Sequence, residues 1–304
     1  MTTEELIAAR RAEPWREALR KSKKNKERTD IPRVEMNELD AEYRSHTRLE
    51  EVNLGLTKEQ AMQEAQRCLD CPNPTCMQGC PVSINIPTFV KNIERGEFLE
   101  AARVLKETSA LPAVCGRVCP QEKQCESKCI HLKMGKPAVA IGYLERFAAD
   151  YERESGNISI PEVAEKNGIK IAVVGSGPAG LSFAGDMAKR GYDVTVFEAL
   201  HEIGGVLKYG IPEFRLPNKI VDVEIEGLRK MGVKFMTNCI VGKTISYDDL
   251  HADGFKGIFA ASGAGLPNFM NIPGENLVGV MSSNEYLTRV NLMDAANPDS
   301  DTPV

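Results

Sequence analysis

The sequence has no apolar run close to the roughly 20 residues that a membrane-spanning helix needs. It begins without the apolar stretch of a secretion signal, and it contains no low-complexity tract. Its net charge of -5 lacks the basic excess that is typical of nucleic-acid-binding proteins. We therefore expect a cytoplasmic protein that does not insert into a membrane and does not use nucleic acid as its main partner.

Histidine is scarce, with 4 residues in 304, whereas the chain has 9 cysteines. All but one of the cysteines form two runs, Cys68-x2-Cys71-x4-Cys76-x3-Cys80-Pro81 and Cys115-x3-Cys119-Pro120-x4-Cys125-x3-Cys129. Such runs are typical of iron–sulfur proteins, and in two-cluster ferredoxins the cysteine before the proline binds the other cluster. The pattern predicts two 4Fe–4S clusters with ligands that cross between the runs.

Other uses of clustered cysteines fit the sequence less well. Structural zinc sites favour Cys-x2-Cys pairs, often with histidine, but most gaps here are longer and His131 is the only imidazole nearby. A disulfide scaffold requires an oxidising compartment, which the missing secretion signal does not support. Cys239 lies outside both runs, on a strand predicted over 233–241, and we expect it to be a structural thiol.

Helix signals surround the cysteine runs. The pattern Thr57-Lys-Glu-Gln60 is a capping box and predicts a helix that ends near Cys68. Prolines and glycines inside the runs predict loops without regular structure. Apolar patterns predict further helices on both sides of the second run, with a break at Gly96. Residues 51–156 are therefore predicted to form a helical iron–sulfur domain.

Residues 1–50 are predicted to form a helical and basic N-terminal arm. Its basic residues are concentrated over a short stretch: Arg16, Arg20, Lys21, Lys23, Lys24, Lys26 and Arg28. Such a run is most often a solvated helix face followed by a flexible link. We favour that interpretation over an arm that docks on a partner subunit.

A dinucleotide-binding pattern follows in the second half of the chain. The apolar run 169–174 predicts a buried parallel strand, Gly175-Ser-Gly-Pro-Ala-Gly180 predicts the turn into a helix, and 194–197 predicts a strand ending at Glu198. In this fingerprint the glycines allow the tight turn, the approach of the pyrophosphate and close helix–strand packing, and the acid accepts a ribose hydroxyl. Because such an acid disfavours a 2′-phosphate, FAD and NAD remain the candidates.

Two later glycine segments extend this pattern. Gly204-Gly205 predicts either an ordinary turn or a place where a longer ligand continues, and 257–263 predicts a strand that returns to the ligand at Gly263. The predicted fold class is a helical two-cluster domain followed by an α/β domain, a partial doubly wound nucleotide-binding fold over 157–304.

Taken together, these motifs resemble one family. It is the small-subunit (β) type of NADPH-dependent glutamate synthase, which includes the large subunit of electron-bifurcating ferredoxin:NADP oxidoreductase and the N-terminal part of dihydropyrimidine dehydrogenase. The resemblance runs from about Leu54 to Leu292. It rests on Arg67-Cys-Leu-Asp-Cys71, Gly79-Cys-Pro-Val82, Cys115-Gly-Arg-Val-Cys-Pro120, the Gly175–Gly180 motif and Gly204-Gly-Val-Leu-Lys-Tyr-Gly-Ile-Pro-Glu-Phe-Arg-Leu-Pro217.

The resemblance implies FAD, rather than NAD, in the first nucleotide site. The contacts that it implies are Gly175, Ser176, Gly177, Pro178, Ala179, Glu198, Val206, Arg215 and Val241. The glycine turns add Gly180, Gly205 and Gly263 as candidate cofactor-binding residues. Without the family, Arg215 would be interpreted as a surface arginine.

The resemblance also implies two ligand sets. The first cluster would be bound by Cys68, Cys71, Cys76 and Cys129, and the second by Cys80, Cys119, Cys125 and a carboxylate at Glu145. The spacing of the second run alone makes Cys115 a rival for the last position. An exposed helical glutamate is the ordinary interpretation of Glu145.

The sequence departs from the family in one respect. Relatives insert a second, NAD(P)-binding βαβ unit after the region that resembles 285–291, and no second glycine fingerprint is present here. We therefore expect the front part of a longer enzyme, without its NAD(P)-binding unit and without the closing segment of its FAD domain.

The expected function is electron transfer. Hydride from NADPH or NADH would reduce FAD in the full-length enzyme, and electrons would pass singly through the two clusters to a large (alpha) or other redox partner subunit. Two alternatives remain at this point. The chain could be a non-catalytic electron-relay or docking subunit that depends on a separate NAD(P)-binding chain, or a zinc-stabilised NAD-binding protein.

Overall fold

The computed structural model describes residues 3–47 and 49–304, and the chain divides into two compact units. The first unit comprises the residues up to Ser45 together with Val52–Pro161, and the second comprises His46–Glu51 together with Glu162–Val304. No helix in the described ranges is both long enough and apolar enough to span a bilayer.

Most of the described residues up to Ser155 belong to helices. They are α1 (Thr3–Arg11), α2 (Pro14–Ser22), α3 (Asn25–Asp30), α4 (Ala41–His46), α5 (Lys58–Gln66), α6 (Thr75–Gln78), α7 (Ile86–Glu94), α8 (Phe98–Lys106), α9 (Pro112–Val118), α10 (Ile130–Lys133) and α11 (Ile141–Ser155). Two 3-10 turns cover Gln121–Lys123 and Glu126–Lys128. A short antiparallel pair joins β1 (Asn37–Glu38) to β2 (Asn53–Gly55).

Local sequence signals placed two of these helix ends correctly. Thr57 caps α5 because its hydroxyl accepts the Gln60 N–H at 3.2 Å, and the Gln60 side-chain oxygen accepts the Thr57 N–H at 2.9 Å. Gly96, with a φ of +86°, separates α7 from α8. The predicted capping box and the predicted break are both confirmed.

The cysteine runs lie against the hydrophobic core of this unit. Helices α7, α8 and α11 bury its apolar side chains, and the Phe98 ring meets those of Phe147 and Tyr151 edge-on, with centroids 5.0 Å and 4.9 Å away. Cys125 and Cys129 are buried members of the same core. The thiols are therefore positioned by ordinary apolar packing.

The prediction that the cysteine runs lack regular structure is wrong in part. The short helix α6 lies inside the first run, and α9 carries Cys115 in the second. Proline does not prevent these helices, because Pro74 occupies the N-cap of α6 and Pro112 lies at the first turn of α9. At both places proline has no helical hydrogen bond to lose.

The interpretation of the N-terminal basic run as a solvated face is wrong for two of its residues. Arg16 and Arg28 are each only 1% exposed. Their carboxylate partners, Asp70 and Glu94, lie far along the chain. A buried charge requires such a partner, so α2 and α3 pack as part of the unit.

The second unit is an α/β fold. Its elements are β3 (Lys170–Val174), α12 (Pro178–Lys189), β4 (Asp193–Phe197), α13 (Val206–Tyr209), α14 (Asn218–Lys230), β5 (Lys234–Met236), α15 (Tyr247–Ala252), β6 (Phe255–Ala260) and α16 (Ser283–Leu292). Within the described residues the sheet is parallel in the order β5-β4-β3-β6, and Ala172 of β3 lies between Thr195 and Ile258. The predicted βαβ unit and the predicted fold class are confirmed.

The strand predicted over 233–241 is too long. Strand β5 ends at Met236, and Asn238 then takes a φ of +55°, a left-handed conformation that leaves the extended region. Cys239 therefore lies beyond the strand. Its side chain is buried with Phe197 and Phe255, an environment that suits a structural thiol.

Candidate cluster and nucleotide sites

Four cysteines from the two runs line one small cavity. Cys68, Cys71 and Cys76 come from the first run, and Cys129 comes from the second. We call these residues the first cysteine set. Apolar side chains close the cavity around them: Ile86, Val90, Val139 and Ile141. The structure thus brings together the four residues predicted to bind the first cluster.

Asp70 turns the chain between the first two cysteines of this set. Its φ is +52°, in the left-handed region that aspartate tolerates better than most residues. Its side chain is fully buried, and the guanidinium groups of Arg16 and Arg20 each lie 2.6 Å from one of its carboxylate oxygens. The conformation of the ligand loop is therefore fixed by contacts to α2.

Burial further favours the neutral form of the free thiols in this set. It raises the pKa of Cys68 to about 11, and it raises the pKa of Cys76 well above its ordinary value. These residues are neutral thiols when no metal is bound. Because metal coordination deprotonates a thiol, a cluster bound at this set would release protons.

A second set of donors gathers around Glu145. Burial raises the pKa of Cys80 and raises that of Cys125 to about 12, and the nearby Glu145 charge adds to both shifts. Cys119 also acts on Cys80. Glu145 lies on α11 and is only 5% exposed. Cys80, Cys119, Cys125 and Glu145 are hereafter called the second set; Cys80 lies within electrostatic reach of Cys119 and Glu145, and Cys125 lies within reach of Cys80 and Glu145.

Cys115 shares this neighbourhood. Its hydrogen bond to Cys119 raises the pKa of Cys115 and lowers that of Cys119 to about 7. Helices α9 and α11 approach closely because Gly116 has no side chain: a Cβ there would lie 2.5 Å from the backbone nitrogen of Arg146. That approach brings Cys115 and Glu145 together, so the choice between them remains a prediction.

The donor sets fit iron–sulfur clusters. All nine cysteines are free thiols, and eight of them belong to the two runs described above. Cysteine thiolates are the usual ligands of 4Fe–4S clusters. Within the described ranges no three donors converge closely enough to bind a single metal ion. A four-iron cluster differs from such an ion because each of its ligands binds a different iron.

A larger cavity of about 1310 Å³ opens at the carboxyl ends of β3, β4 and β6 in the second unit. The strand order changes direction at β3, which is where ligands bind in doubly wound sheets. The N-terminus of α12 also faces this cavity and favours a negatively charged group. The predicted cofactor contacts that line it are Gly175, Ser176, Gly177, Pro178, Ala179, Glu198, Gly205, Val206, Val241 and Gly263.

The glycines of the fingerprint have different local surroundings. A Cβ on Gly180 would lie 2.0 Å from the Gly175 carbonyl oxygen, so Gly180 permits the close packing of α12 on β3. A Cβ on Gly177 would have no protein atom within 4 Å, which leaves open space for a ligand. These surroundings match the roles that the sequence pattern predicts.

Glu198 is held in place by the fingerprint turn. Its Oε2 accepts the Ser176 N–H at 2.8 Å and the Ser176 hydroxyl at 2.5 Å, and its Oε1 accepts the Leu200 N–H at 2.9 Å. A carboxylate has about four acceptor positions. The carboxylate can therefore still accept a ribose hydroxyl without losing its protein contacts.

Two predicted cofactor residues do not line the cavity. Gly180 lies beneath it, and Arg215 is exposed. Part of the cavity wall was not predicted from the sequence. It is formed by Tyr209 and by residues of α16 and its N-cap: Ser282, Asn284, Glu285, Thr288 and Arg289. The only sequence signal there is Ser282-x2-Glu285, a helix-cap pattern that does not indicate a ligand.

Comparisons with known proteins agree with both units. The family model for dihydropyrimidine dehydrogenase domain II, 4Fe–4S cluster, matches residues 44–157, and the model for an NAD(P)-binding Rossmann-like domain matches residues 173–231. Among solved structures, Mycobacterium tuberculosis FprA in complex with NADPH aligns with 40% of this chain and 29% of its own at 24% identity. Its TM-score of 0.36 is too low to bear on the fold or on function.

Similar curated proteins share both parts. The NAD-dependent dihydropyrimidine dehydrogenase subunit PreT of Escherichia coli strain K12 is 39% identical over 224 residues, which cover 73% of this chain and 54% of PreT. The glutamate synthase (NADPH) small chain of Azospirillum brasilense is 33% identical over 241 residues, covering 79% and 50% respectively. The corresponding small chain of Escherichia coli strain K12 is 37% identical and covers 75% and 48%.

These matches define an oxidoreductase-type chain in which an iron–sulfur domain precedes a Rossmann-like nucleotide-binding domain. The predicted family is confirmed: the matched parts of this chain are those of the glutamate synthase small-subunit family, which includes the dihydropyrimidine dehydrogenase subunits. The chain spans about half the length of the curated relatives that it matches.

Proposed function

We propose that this chain is the electron-transfer module of an FAD- and iron–sulfur-dependent NAD(P)H oxidoreductase. The observation that carries the proposal is the grouping of Cys129 with three cysteines of the other run around one cavity. The dinucleotide cavity of the second unit supports the flavin part of the proposal. Clusters accept single electrons, and a flavin exchanges them for the two electrons of a hydride.

The first cysteine set binds one 4Fe–4S cluster, and the second set binds the other. The buried Glu145 supports the second assignment because its charge adds to the effect of burial and raises the pKa of both Cys80 and Cys125. Glu145 provides the fourth ligand in preference to Cys115, whose thiol is engaged by Cys119. An oxygen ligand would give the two clusters different properties, because cluster potentials depend on ligands and net charge.

The second unit binds FAD. The N-terminus of α12 binds the pyrophosphate across the open space at Gly177, and Glu198 accepts a ribose hydroxyl. Gly205 and Val206 continue the cavity away from the fingerprint turn, which favours a ligand longer than the first nucleotide. Arg215 is assigned to the flavin end of the cofactor on the family resemblance alone, because it is exposed and does not line the cavity.

The hydride donor, NADPH or NADH, binds outside the two units described here; the relatives that carry NAD or NADPH in their names are matched over only about half of their length. The electrons leave to a redox partner subunit. Relatives named as a subunit or a small chain support such an assembly. The free thiols of both cysteine runs suit a reducing compartment, and we assign the chain to the cytoplasm.

Anaerobic reconstitution of the purified chain with iron, sulfide and FAD tests the proposal. We expect about eight irons and eight acid-labile sulfides per chain, together with one flavin. The visible spectrum is expected to show flavin bands and a broad cluster shoulder that bleaches on reduction. Fewer than about six irons per chain, or a colourless protein that contains zinc, would contradict it.

A further inference from the structure

Lys91 is a buried cation at the first ligand loop. It lies on α7 and is 0% exposed. Its Nζ donates to the backbone oxygen of Cys68 at 2.6 Å and to Glu94 Oε2 at 2.5 Å. Burial raises the pKa of the Cys68 thiol, and the Lys91 ammonium lowers it more than any other charged group does.

Glu94 has a second cationic partner besides Lys91. Its other oxygen accepts the Arg28 guanidinium at 2.8 Å, and Arg28 also donates to the backbone oxygen of Gln66 at 2.6 Å. The loop that carries Cys68 is therefore reached by cations from α7 and from α3. Removing the Lys91 charge would leave Glu94 with a buried cationic partner.

Arginines of α1 and α2 reach the same loop through Asp70. Arg16 and Arg20 bind its carboxylate, and the Arg11 Nε donates to its backbone oxygen at 2.9 Å. Arg16 also donates to the Thr88 hydroxyl at 2.8 Å, which ties α2 to the helix that carries Lys91. These cations outnumber the carboxylates of Asp70 and Glu94, so the network around the loop has a net positive charge.

We infer that Lys91, supported by the arginines of α1 and α2, raises the reduction potential of the cluster bound by the first cysteine set. This inference rests on the proposed function. Reduction adds one electron from the reduced flavin to that site; no bond forms or breaks, and no proton is required. A buried positive charge favours the added negative charge, because charges interact strongly in a poorly solvated interior.

The second set has a different electrostatic environment. Burial raises the pKa of Cys80 and Cys125, the Cys119 hydrogen bond raises that of Cys115, and the acidic Glu145 adds to all three shifts. Glu126 adds to the effect on Cys125 and forms an ion pair with Arg33 at 2.8 Å. Lys91 is a positioning residue for the first set, because its ammonium reaches this set through the Cys68 carbonyl oxygen.

The test is a reductive titration of the reconstituted full chain with dithionite, followed by electron paramagnetic resonance. The first cluster is identified as the signal that Cys76→Ser alters. Lys91→Gln removes the charge and retains a donor for the Cys68 carbonyl. We expect the equilibrium constant for reducing the first cluster to fall at least tenfold, which corresponds to ~59 mV for one electron, while the second cluster is unchanged.

Two matched variants separate charge from general damage. Lys91→Arg keeps the cation and is expected to restore the wild-type potential. Lys106→Gln removes another Lys–Glu pair of the same unit, in which Lys106 bonds Glu152 and the Ser159 carbonyl, and it is expected to leave both potentials unchanged. If Lys91→Gln does not assemble the first cluster, Arg20→Gln removes a partly exposed cation of the network and is expected to shift the potential in the same direction.

The outcomes are distinguishable. A wild-type chain that binds no four-iron cluster overturns the proposed function, and this inference with it. An intact first cluster with an unchanged potential in Lys91→Gln, or in Arg20→Gln where that variant is needed, overturns the inference alone. Equal shifts of both clusters, or an equal shift in Lys106→Gln, also overturn it, because they indicate a general change of the protein.

Discussion

Ser176 donates two hydrogen bonds to the Glu198 carboxylate at the nucleotide cavity, one from its backbone N–H and one from its hydroxyl. The Ser176 hydroxyl donates to Glu198 Oε2 at 2.5 Å and accepts the Gly204 N–H at 2.9 Å. One hydroxyl therefore connects the fingerprint turn, the acid after β4 and the later glycine turn. The sequence suggested these three segments separately, and the structure joins them through the side chain of Ser176, which was predicted only as a cofactor contact.

Replacing Ser176 by alanine is expected to weaken FAD binding about tenfold, or about 1.4 kcal/mol. The substitution removes a hydrogen bond to a carboxylate and leaves the Gly204 N–H without its acceptor. Flavin fluorescence titration of the reconstituted chain measures the change. Ser22→Ala, which removes an exposed hydroxyl bonded to the Leu19 carbonyl, serves as the control. Equal FAD affinity in both variants would show that the hydrogen bonds of the Ser176 hydroxyl do not contribute to FAD binding.

Alanine substitutions at two glycines of the fingerprint are expected to change different properties, FAD affinity at Gly177 and stability at Gly180. Gly177→Ala should leave unfolding unchanged, because its Cβ meets no protein atom within 4 Å, but it should reduce FAD affinity at least tenfold by occupying the ligand space. Gly180→Ala should destabilise the protein, because its Cβ would lie 2.0 Å from the Gly175 carbonyl oxygen. Chemical unfolding and flavin titration of both variants separate the two effects. Tight FAD binding by Gly177→Ala would contradict the proposed ligand position.

The buried pair of Asp70 and Arg16 is expected to stabilise the first ligand loop. Asp70→Ala should lower the free energy of unfolding by about 3–5 kcal/mol, because it leaves a buried guanidinium without its carboxylate. Asp70→Asn should cost less, because asparagine retains an acceptor and tolerates the positive φ. Urea unfolding of the reconstituted chain measures both changes.

The control for this prediction is the ion pair of Arg10 and Glu107. Its atoms are 2.6 Å apart, but the side chains are 22% and 35% exposed, so Arg10→Ala is expected to cost no more than about 1 kcal/mol. Similar losses in Asp70→Ala and Arg10→Ala would mean that burial does not determine the strength of the Asp70 contacts.

The fourth ligand of the second cluster can be assigned by two substitutions. Cys115→Ala is expected to retain about eight irons per chain, whereas Glu145→Ala should change the resonance signal of the second cluster or lose it. Iron analysis and electron paramagnetic resonance after anaerobic reconstitution measure these outcomes. Loss of about four irons in Cys115→Ala, with Glu145→Ala unaffected, would reverse the assignment.

Local patterns predicted much of the fold. The Thr57 capping box, the break at Gly96 and the turn from β3 into α12 depend on a few neighbouring residues, so the sequence contains their signals. The same is true of most of the nucleotide cavity, because Gly175–Ala179 and Glu198 belong to one βαβ unit. Parallel strands place their carboxyl ends at one edge and bring these residues together.

Long-range contacts could not be predicted in the same way. A basic run has the same composition whether it faces water or a carboxylate far along the chain, so the burial of Arg16 against Asp70 left no local signal. The cavity wall from α16 was missed for the same reason. The grouping of Cys129 with the first run depends on how α7 and α11 pack, and the sequence suggested it only through the resemblance to a family.

Native mass spectrometry of the anaerobically reconstituted chain reports directly whether both clusters and FAD bind to one polypeptide. We expect one species whose mass exceeds that of the polypeptide by two four-iron, four-sulfide clusters and one FAD. A species carrying single zinc ions, or one that carries no iron–sulfur cluster after reconstitution, would contradict this expectation.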